Sequence, residues 1–213
     1  QLYLSLIKRG VPEKLPHYLS VLDKEAGRLE QLIEGILNYS NLLIDKDDLE
    51  FCAVNFSQIV SDIVASLDSD IEKHQLTLHK NIDQSVPPIN GSAEQLKLLV
   101  SHLVVNAIKY SKQGTITISV KSHDADKAVC LEVVDDGIGI SPNEQNHIFE
   151  RFYRGQKIGQ SNIPGIGMGL AIVKEIVDIH NGRINVTSKK DVGSTFRIWL
   201  PTVNTTEEVH YAR

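Results

Sequence analysis

The sequence feature that most constrains the fold is a long apolar stripe of regular spacing near the start of the chain. Nine positions follow one another at intervals of alternately four and three residues: Leu15, Leu19, Leu22, Ala26, Leu29, Ile33, Ile36, Ser40 and Leu43. Because such spacing averages about 3.5 residues, it keeps one stripe of a helix facing a supercoiling partner. Leu32, Leu37 and Leu42 widen the apolar face beyond the need of a two-stranded coil, which favours a four-helix bundle.

This stripe predicts a helix over residues 12–45 that follows the end of another helix at residues 1–9, so that the two form a hairpin. Two helices do not complete a four-helix bundle, and we expect a second copy of the chain to supply the other pair, giving a homodimer through residues 1–45. The alternative is a hairpin packed within one chain. Residue 1 opens inside an amphipathic stretch without an initiator Met, so we expect a fragment cut within a helix.

Composition narrows the class of protein. The 213 residues carry 22 Lys and Arg against 27 Asp and Glu, a formal net charge of −5. This acidic balance argues against nonspecific nucleic-acid binding, which normally depends on a basic face. Cys52 and Cys130 are isolated and indicate neither a disulfide framework nor a thiolate metal site. No apolar run approaches the roughly 18–20 residues that span a bilayer, so we expect a cytoplasmic chain, compatible with anchoring of a longer protein.

After an acidic linker at residues 45–48, the chain alternates strands and helices. The predicted strands are 51–54, 76–82, 115–120, 129–134, 184–188 and 195–200. The predicted helices are 56–73, 92–111 and 167–180, with a short helix opening at Ser141-Pro142 in a capping box with Glu144. Since short turns join the strand pairs, we predict a two-layer α+β sandwich with a mostly antiparallel sheet and helices on one face.

Two motifs place polar groups beside apolar elements. The first is Asn106-Ala-Ile-Lys109-Tyr110 on a predicted helix, where Asn offers an oxygen suited to Mg²⁺ and Lys a charge suited to phosphate. Alone, such side chains are usually solvated. The second is Asp135-Asp136-Gly137-Ile138-Gly139 after an apolar strand, where glycines let the backbone approach a ligand and Asp accepts a hydrogen bond, as from adenine. The alternative is a plain Asp-Gly turn.

Two further motifs suit a phosphate-binding segment. Gly165-Ile-Gly167-Met-Gly169-Leu170 leads into an apolar helix whose amides and positive end favour anions. Ile148-Phe149-Glu-Arg151-Phe152-Tyr153-Arg154 precedes a glycine-rich stretch and, with Lys157, resembles the anchored base of a mobile lid. The alternative for this last motif is a hydrophobic helix end with surface arginines.

In this order and spacing, the four motifs closely resemble the sensor histidine kinases of two-component signalling. Asn106-Ala-Ile-Lys109-Tyr110 resembles their N box, Asp135-x-Gly137-x-Gly139 the G1 box, Phe149-x-x-Phe152 the F box and Gly165-x-Gly167-x-Gly169 the G2 box. Gly193-Ser-Thr-Phe196 resembles their closing motif. The resemblance covers essentially the whole chain. It implies a dimerisation and histidine-phosphotransfer hairpin at 1–46, an ATP-binding catalytic domain at 47–203 and a C-terminal tail at 204–213.

The resemblance implies a Bergerat ATP-binding fold and a protein-histidine kinase that uses ATP and Mg²⁺ and passes phosphate to a response-regulator receiver domain. It implies that Asn106 holds Mg²⁺, that Asp135 accepts the adenine amino group and that Arg154 reaches the γ-phosphate. It also implies that Lys109 and Tyr110 contact the phosphates and nucleotide. The other nucleotide-binding residues that it implies are Gly137, Gly139, Phe149, Phe152, Tyr153, Gly165, Gly167, Gly169, Leu170 and Thr195.

The phosphate acceptor is the main departure from the family pattern. The family's acceptor lies in a motif like His-Glu-x-x-x-Pro, and none of the eight histidines has that context. His17 lies off the apolar stripe of the second predicted helix. We therefore expect the acceptor upstream of residue 1, so that this chain binds ATP but does not phosphorylate itself.

His102 is the second departure, because the family's N box usually carries another Asn there. Two interpretations stay open: the imidazole faces the phosphates as a donor or weak metal ligand, or it fills space beside Asn106. Similar ATPases of the gyrase, Hsp90 and MutL type carry a Glu at this position to activate water, and His disfavours that class. A pseudokinase that signals by contact alone is the other alternative, against which the intact Asn106 and Asp135 argue.

Overall fold

The computed structural model describes residues 15–44, 50–111, 113–123, 125, 127–155 and 165–203. Within them the first element, α1, is a helix of 30 residues at Leu15–Ile44, which confirms that part of the predicted helix. The predicted helix at 1–9 and the linker at 45–48 lie outside the described residues. Along the stripe, Leu15, Leu19, Leu29 and Ile33 are 38–58% exposed. The single chain therefore leaves much of this apolar stripe open to solvent.

The predicted helix 56–73 is wrong at its middle, because it consists of two helices, α2 at Phe56–Ser66 and α3 at Asp68–Lys73. Asn55 caps α2 by accepting a hydrogen bond from the amide of Gln58, at 3.1 Å. The break falls at Leu67, whose amide bonds to Val64 instead of continuing the helix. The new helix start places two partly exposed aspartates, Asp68 and Asp70, in its first turn, where acidic charge is favoured. It also brings Ile71 into the core.

The sheet has five strands in the order β2-β4-β5-β7-β6. These are β2 Leu76–Ile82, β4 Gly114–His123, β5 Ala128–Asp135, β6 Arg183–Lys189 and β7 Gly193–Pro201. Three of the four pairings are antiparallel, as predicted, and β2 pairs parallel with β4. Two short strands that form a separate antiparallel pair, β1 Cys52–Val54 and β3 Ile89–Gly91, complete the set, and β3 is absent from the prediction.

The helices that complete the domain are α4 at Ala93–Tyr110, α5 at Pro142–Gln145 and α6 at Gly169–Ile179. The predicted capping box of α5 is present, with the Ser141 amide donating to the Glu144 carboxylate at 3.3 Å. α6 begins later than predicted, because Gly167 has a φ of +78° outside the helical region. No helix among the described residues combines the length and hydropathy needed to cross a membrane.

One hydrophobic core lies between the helices and one face of the sheet. Buried side chains alternate along β5 and β7 with partly exposed ones. On the outer face, the Arg197 guanidinium bonds to the Glu132 carboxylate and Arg183 stacks on Trp199, 4.5 Å from the ring centroid. The α+β architecture with a helical layer on one face is as predicted. This arrangement brings the C-terminal part of α4 next to the end of β5.

Candidate functional site

A cavity of about 290 Å³, here called the first cavity, lies where the end of β5 meets α4 and the start of β7. Most of the surface of its wall is apolar, and polar side chains are interspersed among the lining residues. The lining residues are Asn106, Tyr110, Asp135, Ile138, Gly139, Ile140, Ser141, Asn143, Glu144, Ile148, Tyr153, Arg154, Gly155, Leu170, Lys190, Ser194 and Phe196. Apolar walls with a small number of placed polar groups are typical of small-molecule sites.

Asp135 is the buried carboxylate of the first cavity, with 6% of its surface exposed. Burial raises the pKa of its carboxyl group from an ordinary 3.8 to about 6, against the lowering effect of hydrogen bonds from the amides of Gly137 and Ser194. The Gly137 amide donates to Oδ1 at 2.9 Å. These amides fix the carboxylate at the strand end, where it lines the first cavity.

The turn after Asp135 is wedged between backbone segments. The Ile138 amide donates to the carbonyl oxygen of Tyr110 at 3.1 Å, which ties the turn to the end of α4. Gly139 has a φ of +60°, and a Cβ there would collide with the carbonyl oxygen of Lys189 at the end of β6. Gly193 is held in the same way against the Asp135 carbonyl. The glycines therefore permit close backbone contacts that shape the cavity floor.

Ser188 joins three segments of this floor and has no counterpart in the sequence prediction. Its hydroxyl accepts a hydrogen bond from the Ile140 amide at 2.8 Å and donates to the Gly193 carbonyl at 2.8 Å. The Gln145 side-chain amide donates to the Ser188 carbonyl at 2.9 Å. A serine facing the core side of an edge strand is a weak signal in sequence, because the strand register decides which neighbours it meets.

A second cavity of about 440 Å³ adjoins the first along α4. His102, Asn106 and Lys109 line it from one face of the helix, as their spacing predicts. The segment from Gly165 to Leu170 forms the opposite wall, and Gly35 of α1 also lines it. Five residues line both cavities: Asn106, Tyr110, Ile148, Tyr153 and Leu170. The two cavities therefore lie side by side with a shared wall.

Burial lowers the pKa of two basic side chains of the second cavity. The pKa of Lys109 falls from 10.5 to about 8, chiefly through loss of solvation and further through the nearby charge of Arg154. Burial also lowers the pKa of His102 to about 4, so its imidazole is neutral at physiological pH. The Nε2 atom of His102 is buried without a hydrogen-bond partner among the described residues. Desolvated polar groups of this kind are common where a ligand binds.

The structure brings together most of the residues that the sequence analysis named, and it places four of them outside both cavity walls. Gly137 supports Asp135 from behind, and Phe149 packs against the core. Phe152 is 53% exposed with a φ of +62°. Thr195 lies on β7 between Ser194 and Phe196, and these two neighbours line the cavity because alternate side chains face opposite sides of a strand. Lys157 lies outside the described residues.

Comparison with known proteins identifies the class. Residues 91–204 match the family described as histidine kinase-, DNA gyrase B-, and HSP90-like ATPase, which is more than half of the chain. The chain therefore belongs to this family and, within it, to the sensor histidine kinases. The sensor histidine kinase RppB of Synechocystis is 36% identical over 187 residues, which cover 86% of this chain and 40% of RppB.

Two solved structures share the fold. The histidine kinase AdeS of Acinetobacter baumannii superposes with a TM-score of 0.69 at 21% identity, covering 95% of this chain and 92% of that one. Full-length ShkA in complex with AMPPNP superposes with a TM-score of 0.72 at 20% identity, covering 88% of this chain and 39% of ShkA. The chain spans less than half the length of RppB and of the Staphylococcus aureus sensor kinase WalK, at 40% and 48%.

Proposed function

We propose that this chain is the ATP-binding kinase core of a two-component sensor histidine kinase, which transfers the γ-phosphoryl group of Mg-ATP to a histidine for relay to a response-regulator aspartate. The observation that carries the proposal is that the two cavities lie side by side and share five lining residues. One end offers a buried carboxylate between apolar walls, and the other offers an amide and a desolvated ammonium group. This polarity matches a purine base at one end and a polyphosphate at the other.

The first cavity suits the adenine base. Ionised Asp135 accepts a hydrogen bond from the exocyclic amine, and Ile138, Ile140 and Phe196 supply apolar surface for the ring faces. A guanine base presents a carbonyl oxygen at the corresponding position, which repels the carboxylate. Asp135 is therefore the residue that selects adenine over guanine.

The second cavity suits the triphosphate and its cation. Lys109 of this cavity neutralises phosphate oxygens together with Arg154, which lines the first cavity and whose charge lies near Lys109. Asn106 offers its amide oxygen to Mg²⁺. The described residues contain no cluster of three His, Cys, Asp or Glu side chains that could hold a metal ion. This donor set fits Mg²⁺, which takes most of its ligands from phosphates and water in nucleotide sites. When bound, the ion supplies charge neutralisation that favours phosphoryl transfer.

The lining of the second cavity favours transfer to a protein acceptor over hydrolysis. In the transfer, the bond between the γ-phosphorus and its bridging oxygen breaks, a bond from phosphorus to an imidazole nitrogen forms, and ADP leaves. None of the described residues that line this cavity is a carboxylate that could activate water as a general base. Positioning and charge stabilisation by Asn106, Lys109 and Arg154 are what the chain contributes to the transfer.

The test uses Asn106→Ala with a separate dimerisation domain that carries an acceptor histidine. We expect phosphoryl transfer to fall by about 100-fold or more, because the amide oxygen for the cation is lost. The folded state remains, since Asn106 lies on a cavity wall. Asn185→Ala on the exposed edge strand is the matched control and retains transfer. A native transfer rate in Asn106→Ala contradicts the assignment of the cation ligand.

The exposed stripe of α1 supports a homodimer. Leu29 and Ile33 are 58% and 57% exposed, although their heptad spacing is that of a buried seam. Pairing of two copies through residues 1–45 removes this surface from water. We expect Ile33→Glu to convert the dimer to a monomer in light scattering, because a charge in the seam is costly to bury. Glu30→Gln on the same helix is the control and leaves the mass unchanged. A dimer that persists in Ile33→Glu contradicts this placement of the interface.

A further inference from the structure

His180 connects two helices that are distant in sequence. The residue is 3% exposed and directly follows α6. Its Nδ1 atom lies 2.8 Å from the carbonyl oxygen of Ile176, and its Nε2 atom accepts a hydrogen bond from the Ser92 amide at 3.1 Å. Ser92 is the N-cap residue of α4. The ring and its two hydrogen bonds, here called the His180 bridge, therefore join the end of α6 to the start of α4.

The two partners assign the protonation state of the ring. A carbonyl oxygen accepts hydrogen bonds and a backbone amide donates them, so Nδ1 carries the proton and Nε2 presents its lone pair to Ser92. A second proton would place an N–H group of the ring against the N–H group of Ser92. The His180 bridge is therefore intact only while the imidazole is neutral.

Close packing holds the ring in this position. The Phe51 ring lies against it, with 5.0 Å between the two centroids. A Cβ atom on Gly91 would lie 2.5 Å from Cδ2 of His180, so a larger residue at this position would displace the ring. Gly91 immediately precedes Ser92. The absence of a side chain at residue 91 therefore lets the imidazole reach the start of α4.

The environment of the ring disfavours its charged form. Burial lowers the pKa of His180, against the opposing effect of its hydrogen bond to the α6 carbonyl, and no charged side chain among the described residues contributes to the shift. The titratable side chains on the residues next to these contacts are all exposed: Glu50 before β1, Cys52 on β1, Glu94 on α4 and Asp178 on α6. Protonation of His180 itself is therefore the event that breaks the bridge.

The two helices that the bridge joins line the second cavity farther along their length. α4 lines it from His102 onward, and α6 lines it with Gly169, Leu170 and Ile172. Because the helices are antiparallel, ten residues separate the bridge from the cavity on each helix, which is about 15 Å at 1.5 Å per residue. The bridge thus fixes the spacing of two cavity walls from one end of a helix pair.

We infer, building on the proposed function, that His180 is a positioning residue for the bound nucleotide, and that its protonation weakens nucleotide binding. The neutral ring holds the start of α4 against the end of α6 and so sets the spacing of the helices that line the second cavity. A protonated ring separates from the Ser92 amide and lets the two helices shift. Since coupling between two binding events is reciprocal, a bound nucleotide favours the neutral ring by the same factor.

The first test measures the pKa of His180 in the wild-type chain with and without AMPPNP and Mg²⁺, from the ¹⁵N chemical shifts of the ring nitrogens. We expect AMPPNP to lower this pKa and to make the ring about tenfold harder to protonate. The negative charge of a triphosphate acting through space would raise the pKa instead, so the direction of the change separates the two causes.

His74 is the matched control in the same spectra. Its Nδ1 atom lies 2.8 Å from the carbonyl oxygen of Asp70 at the end of α3, which repeats the local contact of His180. Its ring is exposed and does not connect α4 to α6. We expect AMPPNP to leave the pKa of His74 unchanged.

The second test uses His180→Phe, which keeps a ring of similar shape and removes both hydrogen bonds. We expect calorimetry at pH 7.5 to show about five- to tenfold weaker binding of AMPPNP with Mg²⁺. The difference from the wild type should narrow as pH falls, because the wild-type bridge then breaks as well. Protonation of Asp135 weakens binding in both chains, so the ratio of their affinities isolates His180. His74→Phe is the control and keeps the wild-type affinity.

Each other outcome contradicts the inference. A pKa of His180 that AMPPNP leaves unchanged or raises overturns it and leaves the proposed function intact. Equal affinity of the wild type and folded His180→Phe shows that the bridge only stabilises the fold. Failure of AMPPNP to bind the wild-type chain contradicts the proposed function as well. The pKa measurement needs no variant, so it decides the matter even where His180→Phe does not fold.

Discussion

The two cavities are built from different parts of the polypeptide. Backbone groups shape the floor of the first cavity. Amides donate hydrogen bonds to Asp135, and the turn at Gly137–Gly139 packs closely against backbone carbonyl groups. Ser188 connects the neighbouring segments through its hydrogen bonds. Side chains of one helix face shape the second, with His102 and Lys109 losing solvation as they line it. Contacts of the backbone thus build the first cavity into the fold, whereas the second cavity is lined mainly by side chains, two of which are basic groups that have lost solvation.

We expect the largest difference between the two cavities when a methyl group is added to a glycine of each, with the free energy of unfolding as the measured quantity. Gly139→Ala places a Cβ against a backbone carbonyl at positive φ, and we expect it to lower the free energy of unfolding by about 3 kcal/mol or more. Gly169→Ala, beside the second cavity, makes ordinary contacts and begins a helix, so we expect a change within about 1 kcal/mol. Denaturant unfolding of both variants measures the difference, and equal losses contradict it.

Asp135→Asn tests whether the buried carboxylate trades stability for binding. Its pKa of about 6 lies above the ordinary 3.8, so the folded state favours the protonated carboxyl group. The contribution of this group to folding stability is therefore full below pH 4 and is lost as the pH rises through 6. An Asn side chain does not ionise, so the variant does not lose this stability. We therefore expect the variant to be more stable than the wild type by up to about 2–3 kcal/mol above pH 6 and equal to it near pH 4.

The same variant should lose nucleotide affinity. Replacing a charged acceptor by a neutral amide weakens the hydrogen bond to adenine, and we expect about a 10- to 100-fold loss for ATP. Thermal unfolding across pH and a binding titration check the two halves separately. Asp136→Asn is the matched control, since Asp136 lies outside the cavity and accepts from the Thr115 amide. A stability gain that persists at pH 4 contradicts the linkage to Asp135 ionisation.

The smallest effect is a proton taken up in the second cavity. Lys109 has a pKa of about 8, so half of its side chains are deprotonated at pH 8 in the free protein. Burying the charged form lowers the stability of the folded state at pH values below 8, and this loss disappears as the pH rises from 8 toward 10.5. A triphosphate restores the charge, so binding at pH 8 should take up about half a proton. Calorimetry in buffers of different ionisation enthalpy measures the uptake. Lys109→Arg stays charged and should show none; equal uptake in this variant assigns the proton elsewhere.

Local patterns in the sequence predict the elements and the residue types of the site. The 3.6-residue period places His102, Asn106 and Lys109 on one face of α4, and the capping box predicts α5. Both depend on neighbours within a few residues. The comparisons confirm the family that the four motifs resemble, and the individual roles of the site residues stay predictions.

Contacts distant in sequence decide what the patterns miss. The break at Leu67 serves the burial of Ile71 against the core, which no local signal near Leu67 announces. β3 is a strand because it pairs with β1, about 35 residues away. Ser194 and Phe196 face the first cavity, and Thr195 does not, because the register of β7 against β5 sets which alternate side chains point inward.

The close contacts of Gly139 and Gly193 affect how variants of this chain are to be interpreted. Backbone carbonyls fill the space where their side chains would lie, whether or not a nucleotide is bound. Selection for folding alone therefore retains both glycines, even in a descendant in which Asn106 or Asp135 has been replaced. In any survey of similar sequences, these two glycines therefore indicate an intact fold and carry no information about ligand binding.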